Sequence, residues 1–184
     1  MRTSEPVKLR VGVMASAEAE AAERLGPLLV QLAAEIVRRE MVLLTGATTG
    51  VPDAVSRAVR ERGGFTIGIS PAHHAREHAE RYGLPVDGCD TLIFTGFGLK
   101  GRNVVLVRSC DLVLIVAGGM GTLNEFTIAV DEGKVTGVLS GTGGVADEIG
   151  RLLPYARHPE SVVIAPEPDR LLELCLAKLA ETSG

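Results

Sequence analysis

Seven short runs of apolar, largely β-branched residues recur along this 184-residue chain, with longer amphipathic stretches between them. No other feature restricts the fold as much as this alternation. The runs lie at 9–14, 42–45, 66–70, 91–94, 112–116, 135–139 and 162–165. They are continuously apolar rather than alternating, as expected of strands covered on both faces. Between them, residues 18–39, 53–62, roughly 102–109, 123–132 and 169–181 read as helices. Pro27 falls inside the first, which predicts a kink or a start near that residue, and Pro52 suits the opening turn of the second. Repeated strand-then-helix order predicts parallel strands joined by crossover helices. The expected class is therefore α/β, a Rossmann-like doubly wound sheet, mostly parallel, with six or seven strands. No repeat, low-complexity tract or linker interrupts the pattern, so one domain over 1–184 is expected. Ligands of such sheets bind beyond the carboxyl ends of the strands, near the point where strand order reverses.

The sharpest local signal follows the fifth run. Asp111-Leu-Val-Leu-Ile-Val-Ala117 leads straight into Gly118-Gly119-Met120-Gly121-Thr122-Leu-Asn-Glu125. Glycines let backbone N–H groups face a concave space, and a helix N-terminus adds about half a positive charge there. Phosphate is the natural occupant, and the Thr122 hydroxyl can donate to the same anion. The spacing Thr122-x-x-Glu125 equally fits a capping box, in which Glu125 would only tie down its own helix. No Gly-Lys-Ser/Thr follows, which disfavours a Walker-type ATPase, and Gly12-Val-Met-Ala-Ser16 after the first run lacks the dinucleotide fingerprint.

Two further strand-end loops are candidates for the same pocket. Gly46-Ala-Thr48-Thr49-Gly50 offers hydroxyl and backbone donors for ribose or phosphate, or serves simply as a tight turn. Ser16 follows the first strand. Arg102, after the glycine-rich stretch 96–101, is placed to clamp phosphate or to sit solvated at a helix start. His74 and His78, four apart, lack the zincin order and a third ligand and read as a surface helix, so no metal is expected.

Composition excludes several classes. There is no Trp, and the formal net charge is -4 with basic residues scattered, which argues against nucleic acid as the main partner. Cys89, Cys110 and Cys175 are distant and form no CxxC pair, favouring a reducing cytoplasm over disulfides or zinc. Met1 to Pro6 are polar, so no signal peptide is expected, and no run is long enough to span a membrane.

The run from Ala117 to Glu125 resembles the Pro-Gly-Gly-x-Gly-Thr-x-x-Glu signature of the Lonely Guy (LOG) family. These proteins were long labelled lysine decarboxylases and are phosphoribohydrolases in characterised cases. The wider superfamily includes molybdenum cofactor carrier proteins and DNA-processing-protein-like domains. Thr45-Gly46-Ala-Thr-Thr-Gly50-Val-Pro-Asp and Gly63-Gly64-Phe-Thr-Ile-Gly68 are similar to the family's next two segments. Gly101-Arg102-Asn103 stands at the family's Arg-Lys pair. The resemblance implies a phosphoribosyl-binding fold with Arg102 and Glu125 in catalytic positions. It implies a ligand site at Gly118, Gly119, Met120, Gly121 and Thr122 with Asn103 beside Arg102, and a homodimer or homotetramer; the strand-end candidates Gly46, Thr48, Thr49 and Ser16 complete the expected site. Two departures stand out. Ala117 replaces the signature Pro, expected to loosen the start of the loop, and Asn103 replaces Lys, removing a charge.

Two functions follow as expectations. One is hydrolysis of the N-glycosidic bond of a nucleoside 5′-monophosphate, with Glu125 stabilising the oxocarbenium-like charge or orienting water, Arg102 holding the phosphate or assisting the departing base, and no resident cofactor. The other is a non-catalytic carrier or sensor of a phosphorylated cofactor, resembling the molybdenum cofactor carriers. Asn103 and residues 141–144 lean toward the carrier.

Overall fold

A computed structural model of the chain describes residues 7–182; the polar stretch Met1 to Pro6, read above for a leader, lies outside them. Among the described residues seven strands form one all-parallel sheet: β1 (Arg10–Ala15), β2 (Val42–Thr45), β3 (Phe65–Ser70), β4 (Thr91–Phe94), β5 (Leu112–Val116), β6 (Val135–Leu139) and β7 (Val162–Ala165). Seven helices connect and cover them: α1 (Ala19–Arg38), α2 (Val51–Glu61), α3 (Ala75–Glu80), α4 (Gly98–Arg108), α5 (Met120–Asp131), α6 (Ile149–Leu152) and α7 (Pro168–Thr182).

The strand order is β4-β3-β2-β1-β5-β6-β7. The chain builds outward from β1 to one edge and then crosses back to build the other half from β5. Order therefore reverses between β1 and β5, which pair in register from Val11 with Leu112 to Ala15 with Val116. All five residues of β5 are buried, because alternate side chains feed two separate cores. Leu112, Leu114 and Val116 pack with α1, α2 and α7, while Val113 and Ile115 pack with α4 and α5. The continuous apolar runs are thus required by a two-sided layer structure.

Pro27 neither starts nor splits α1, which runs unbroken from Ala19 to Arg38. Pro27 is exposed, while the buried stripe Leu25, Leu29, Leu32 and Ile36 recurs at helical spacing on the opposite side. α4 begins at Gly98 rather than near Arg102, so most of the stretch read as a glycine loop is its first turn. Two glycines in that turn depress helix propensity and mask it from a periodicity reading.

The segment after β3 corrects a second expectation. The expected surface helix is present as α3, with Ala75, Arg76, Ala79 and Glu80 exposed and His74 capping it by accepting from Glu77 N at 3.1 Å, but His78 turns inward and is fully buried. Its Nε2 lies 3.0 Å from the Pro85 carbonyl, which can only accept, so Nε2 carries the hydrogen. Nδ1 is then the acceptor for Ser70 Oγ at 2.8 Å, and Ser70 Oγ in turn accepts from Ala72 N at 3.1 Å. The chain of bonds is complete only for a neutral ring. Burial holds the His78 pKa below the usual imidazole value, and the nearby Arg102 charge adds to this against the opposing bond to Pro85.

The sign of the pH effect follows. A folded state that resists protonation binds fewer protons than the unfolded chain, so this contribution is whole above pH ~6.5 and shrinks as pH falls toward the depressed pKa. Urea unfolding at pH 7.5 and 5.5 is expected to show wild type losing more stability on acidification than His78→Gln. The difference should reach at most about 1.4 kcal/mol per pH unit. Equal losses in the two proteins would contradict the buried neutral ring.

Candidate ligand site

The loop after β5 is held in an unusual path by bonds within the protein. Ala117 has φ 51° and Gly118 φ 91°, both left-handed. The Ala117 N–H donates to Thr142 Oγ1 at 2.8 Å, Ala146 N donates to Ala117 O at 3.1 Å, and Val145 N donates to Gly118 O at 2.8 Å. Asp147 folds the bracing turn by accepting from Gly141 N at 2.6 Å and Gly143 N at 2.9 Å. Residues 141–147 are therefore a strut behind the glycine loop. Ala117 does not loosen the loop. Proline has no N–H and cannot adopt φ 51°, so this backbone excludes the signature residue, and the alanine present holds a left-handed conformation that glycine would adopt with less strain.

The three glycines divide by what the fold asks of them. Gly118 needs its positive φ, and a methyl there would overlap Thr122. Gly119 and Gly121 have no positive φ, and a methyl on either would meet no atom within 4 Å. Packing gives no reason for glycine at these two positions, and both border an open cavity. α5 starts here with no side-chain cap, and its first backbone bond is Leu123 N to Gly119 O at 2.9 Å. The N–H groups ahead of it have no intrahelical acceptor and point out of the helix end.

That cavity, of about 280 Å³, lies at the carboxyl ends of β1 and β5. It brings together Ser16, Gly46, Thr48, Arg102, Asn103, Gly119, Gly121, Thr122 and Glu125 of the expected set. Gly118, Met120 and Thr49 are not among its walls. Gly118 packs under Thr122, and Met120 is 77% exposed outside. Thr49 Oγ1 donates to Ala17 O at 2.8 Å, fastening the β2 loop to the start of α1. The Thr122 hydroxyl donates to Ala15 O at 3.2 Å, so it stitches α5 to the end of β1 rather than pointing a free hydrogen at an anion.

Arg102 and Glu125 face each other across α4 and α5 without an ion pair inside 4.0 Å. Arg102 is 5% exposed; its guanidinium lies over Gly46, where any side chain would overlap it, and one N–H donates to Ile69 O at 3.3 Å. Among the described contacts that is its one hydrogen bond, while the cavity wall includes the residue. Burial lowers the Arg102 pKa, offset by the charge of Glu125. Burial pushes Glu125 up to about 7, against the pull of Arg102 and Lys100. Glu125 turns into the cavity and makes no bond back to its helix start, and Gly119 is the N-cap, so the capping box is not formed. The Asn103 amide has partners in either of two orientations: in one its nitrogen donates to Asn124 Oδ1 at 2.9 Å, and turned over it donates instead to Glu125 Oε1 at 3.1 Å and Leu99 O at 3.0 Å.

Sequence reasoning missed Lys100, Leu99 and Glu18, which also line the cavity. Lys100 and Leu99 were hidden because 98–101 read as loop; once that turn is helical they sit just ahead of Arg102. A larger groove of about 670 Å³ runs between α4, α5 and residues 152–157 on the outer face. Its charges are already matched, Arg108 to Glu132 at 2.7 Å and Arg157 to Asp131 at 4.0 Å. Among the described residues no group of three or more His, Cys, Asp or Glu side chains could hold a metal. Nor is any helix long and apolar enough to cross a membrane.

Comparison with known proteins places this geometry. The sequence matches the SLOG cluster4 family over residues 8–171. The chain belongs to that family. Among its relatives is a protein of Archaeoglobus fulgidus, 32% identical over 126 residues, which cover 68% of this chain and 76% of the relative. The chain is also similar to the molybdenum cofactor binding protein of Rippkaea orientalis, at 28% identity and TM-score 0.74, covering 94% of this chain and 98% of that one. The molybdenum cofactor carrier protein of Chlamydomonas reinhardtii aligns at 25% identity and TM-score 0.74, covering 95% and 99% respectively. The expected resemblance to this Rossmann-like superfamily therefore holds.

The strut gives a test specific to this member. Ala117→Pro restores the Lonely Guy signature residue yet should cost roughly 2–3 kcal/mol, through the lost bond to Thr142 and the forbidden φ. Ala117→Gly should be neutral or stabilising by up to about 1 kcal/mol. Thermal or urea unfolding of both variants reads this out, and an Ala117→Pro protein as stable as wild type would contradict the loop geometry.

Proposed function

We propose that the cavity binds the phosphate of a small nucleotide-like molecule and that the protein hydrolyses the N-glycosidic bond of a nucleoside 5′-monophosphate, giving free base and ribose 5-phosphate. The observation that carries the reading is the pair Gly119 and Gly121. The fold does not require glycine at either, and both open the α5 N-terminus toward a cavity shared with a buried arginine. Backbone that must be approached closely by an anion is the remaining physical reason for two bare positions there.

The division of labour follows from placement. The α5 N-terminus and Arg102 take the phosphate, which orients the sugar for reaction. Ser16 and Thr48, on the β1 and β2 loops, offer polar contacts to the sugar. Glu125 serves the bond cleavage, because a carboxyl titrating near neutrality can exchange a proton or support positive charge on the sugar carbon. A second reading, a non-catalytic carrier of a phosphorylated cofactor, is favoured by two observations. The molybdenum cofactor proteins align over nearly their whole length, and Asn103 leaves the site one charge short of the Lonely Guy pattern.

Titration calorimetry with AMP and ribose 5-phosphate tests the binding site. Gly121→Asp, for which the structure has room, should abolish binding with the fold intact; undiminished binding would contradict the site. Chromatography of AMP incubated with the protein tests the chemistry. Wild type should release free base, Glu125→Gln should lose about 100-fold or more in turnover, and Arg102→Ala should lose both turnover and affinity. Tight binding with no base released from AMP or an N6-substituted AMP favours the carrier. Turnover unchanged by Glu125→Gln would overturn the assignment of that residue.

A further inference from the structure

Glu125 is a poorly matched neighbour for an anion. It is 7% exposed, it borders the same cavity as Gly119 and Gly121, and among the described residues no cation lies within ion-pair distance of it. The charged and titratable groups around it are few. Arg102 and Lys100 come from α4, Glu18 from the start of α1 lines the same cavity, and the Cys110 thiol sits at the foot of β5. Burial pushes that thiol up to about 12, so it stays protonated, and His78, which feels Arg102, is neutral in its own bonds. A phosphate entering this space adds negative charge beside a carboxylate in a medium that screens poorly. A proton on the carboxyl relieves the repulsion.

The neighbouring side chain permits that change. An amide can donate through its nitrogen or, turned over, accept through its oxygen, so Asn103 can meet either protonation state of Glu125. A lysine there has donors only and would hold Glu125 ionised. We propose that the pocket takes up its phosphate-bearing ligand together with one proton carried on Glu125, and that Asn103 is the positioning residue that holds the carboxyl in both states. This rests on the anion-site reading above. In the hydrolytic reading it also specifies the acid. The Glu125 O–H bond breaks as a proton passes to the departing base and the glycosidic C–N bond cleaves. Water bonds to the sugar carbon and returns one of its protons to the carboxylate.

Calorimetry with sulfate separates the protein's proton from the ligand's, since sulfate does not titrate near neutral pH. AMP serves as the second probe, and each is titrated at pH 6, 7 and 8 in buffers of different ionisation enthalpy. Wild type should bind sulfate about tenfold more weakly at pH 8 than at pH 6, with about half a proton taken up per site at pH 7. Glu125→Gln should bind sulfate with neither pH dependence nor uptake. Asn103→Lys should bind with the pH midpoint moved down and the uptake at pH 7 lost. Binding of both probes by wild type with no proton uptake on binding sulfate overturns the inference and leaves the anion site standing. The same uptake in folded Glu125→Gln also overturns it. No binding of either probe at any pH removes the anion site and this inference with it.

Discussion

The adjacency of β1 and β5 is the constraint on which the rest of the molecule depends. Because strand order reverses between them, the segments leaving their carboxyl ends diverge and leave a space that no side chain of the sheet fills. Thr122 spans that space with its bond to Ala15 O, fixing the α5 N-terminus against the end of β1. The strut from residues 141–147 supports the same loop from behind through Thr142, Val145 and Ala146. Loop and helix start are thus positioned by the protein's own bonds, as a preorganised anion site would require.

The site's electrostatics follow from burial rather than from dense charge. Arg102 and Glu125 are both withdrawn from water, and burial works against the charged form of each. Gly46 is the complement to Arg102: its missing side chain is the room in which the guanidinium lies. Lys100 and Glu18 also border the cavity, while pairs such as Arg10 with Asp111 and Arg57 with Asp87 lie outside its walls. Exposed pairs of this kind contribute little to stability. The chemistry is concentrated where the fold excludes solvent.

Much of this was legible in the sequence because it rests on strong local patterns. The seven apolar runs match the seven strands to within a residue at each end, since β-branched clusters bounded by glycine and charge have few other uses. Convergence of Ser16, Gly46, Arg102 and Gly119 followed from placing them after strands on the carboxyl side, while Glu125 was expected there only through the resemblance to the Lonely Guy family. What the sequence hid was long-range. Nothing local shows that Ala117 adopts a left-handed backbone, because Thr142, twenty-five residues on, holds it there. The burial of His78 comes from Ser70 and Pro85, and the first turn of α4 was obscured by its glycines. Met120 and Gly118 belong to the signature but not to the cavity wall, since a motif fixes a loop as well as a site.

The central claim is that an anion sits on the bare backbone of the α5 N-terminus. Amide ¹H–¹⁵N spectra of ¹⁵N-labelled protein titrated with AMP test it at the atoms concerned. The account predicts saturable shifts largest at Gly119, Gly121 and Thr122, together with the Arg102 side-chain N–H signal, and their loss in Gly121→Asp. Saturable binding of AMP that leaves those amides unmoved while shifting residues of the outer α4–α5 groove would contradict it.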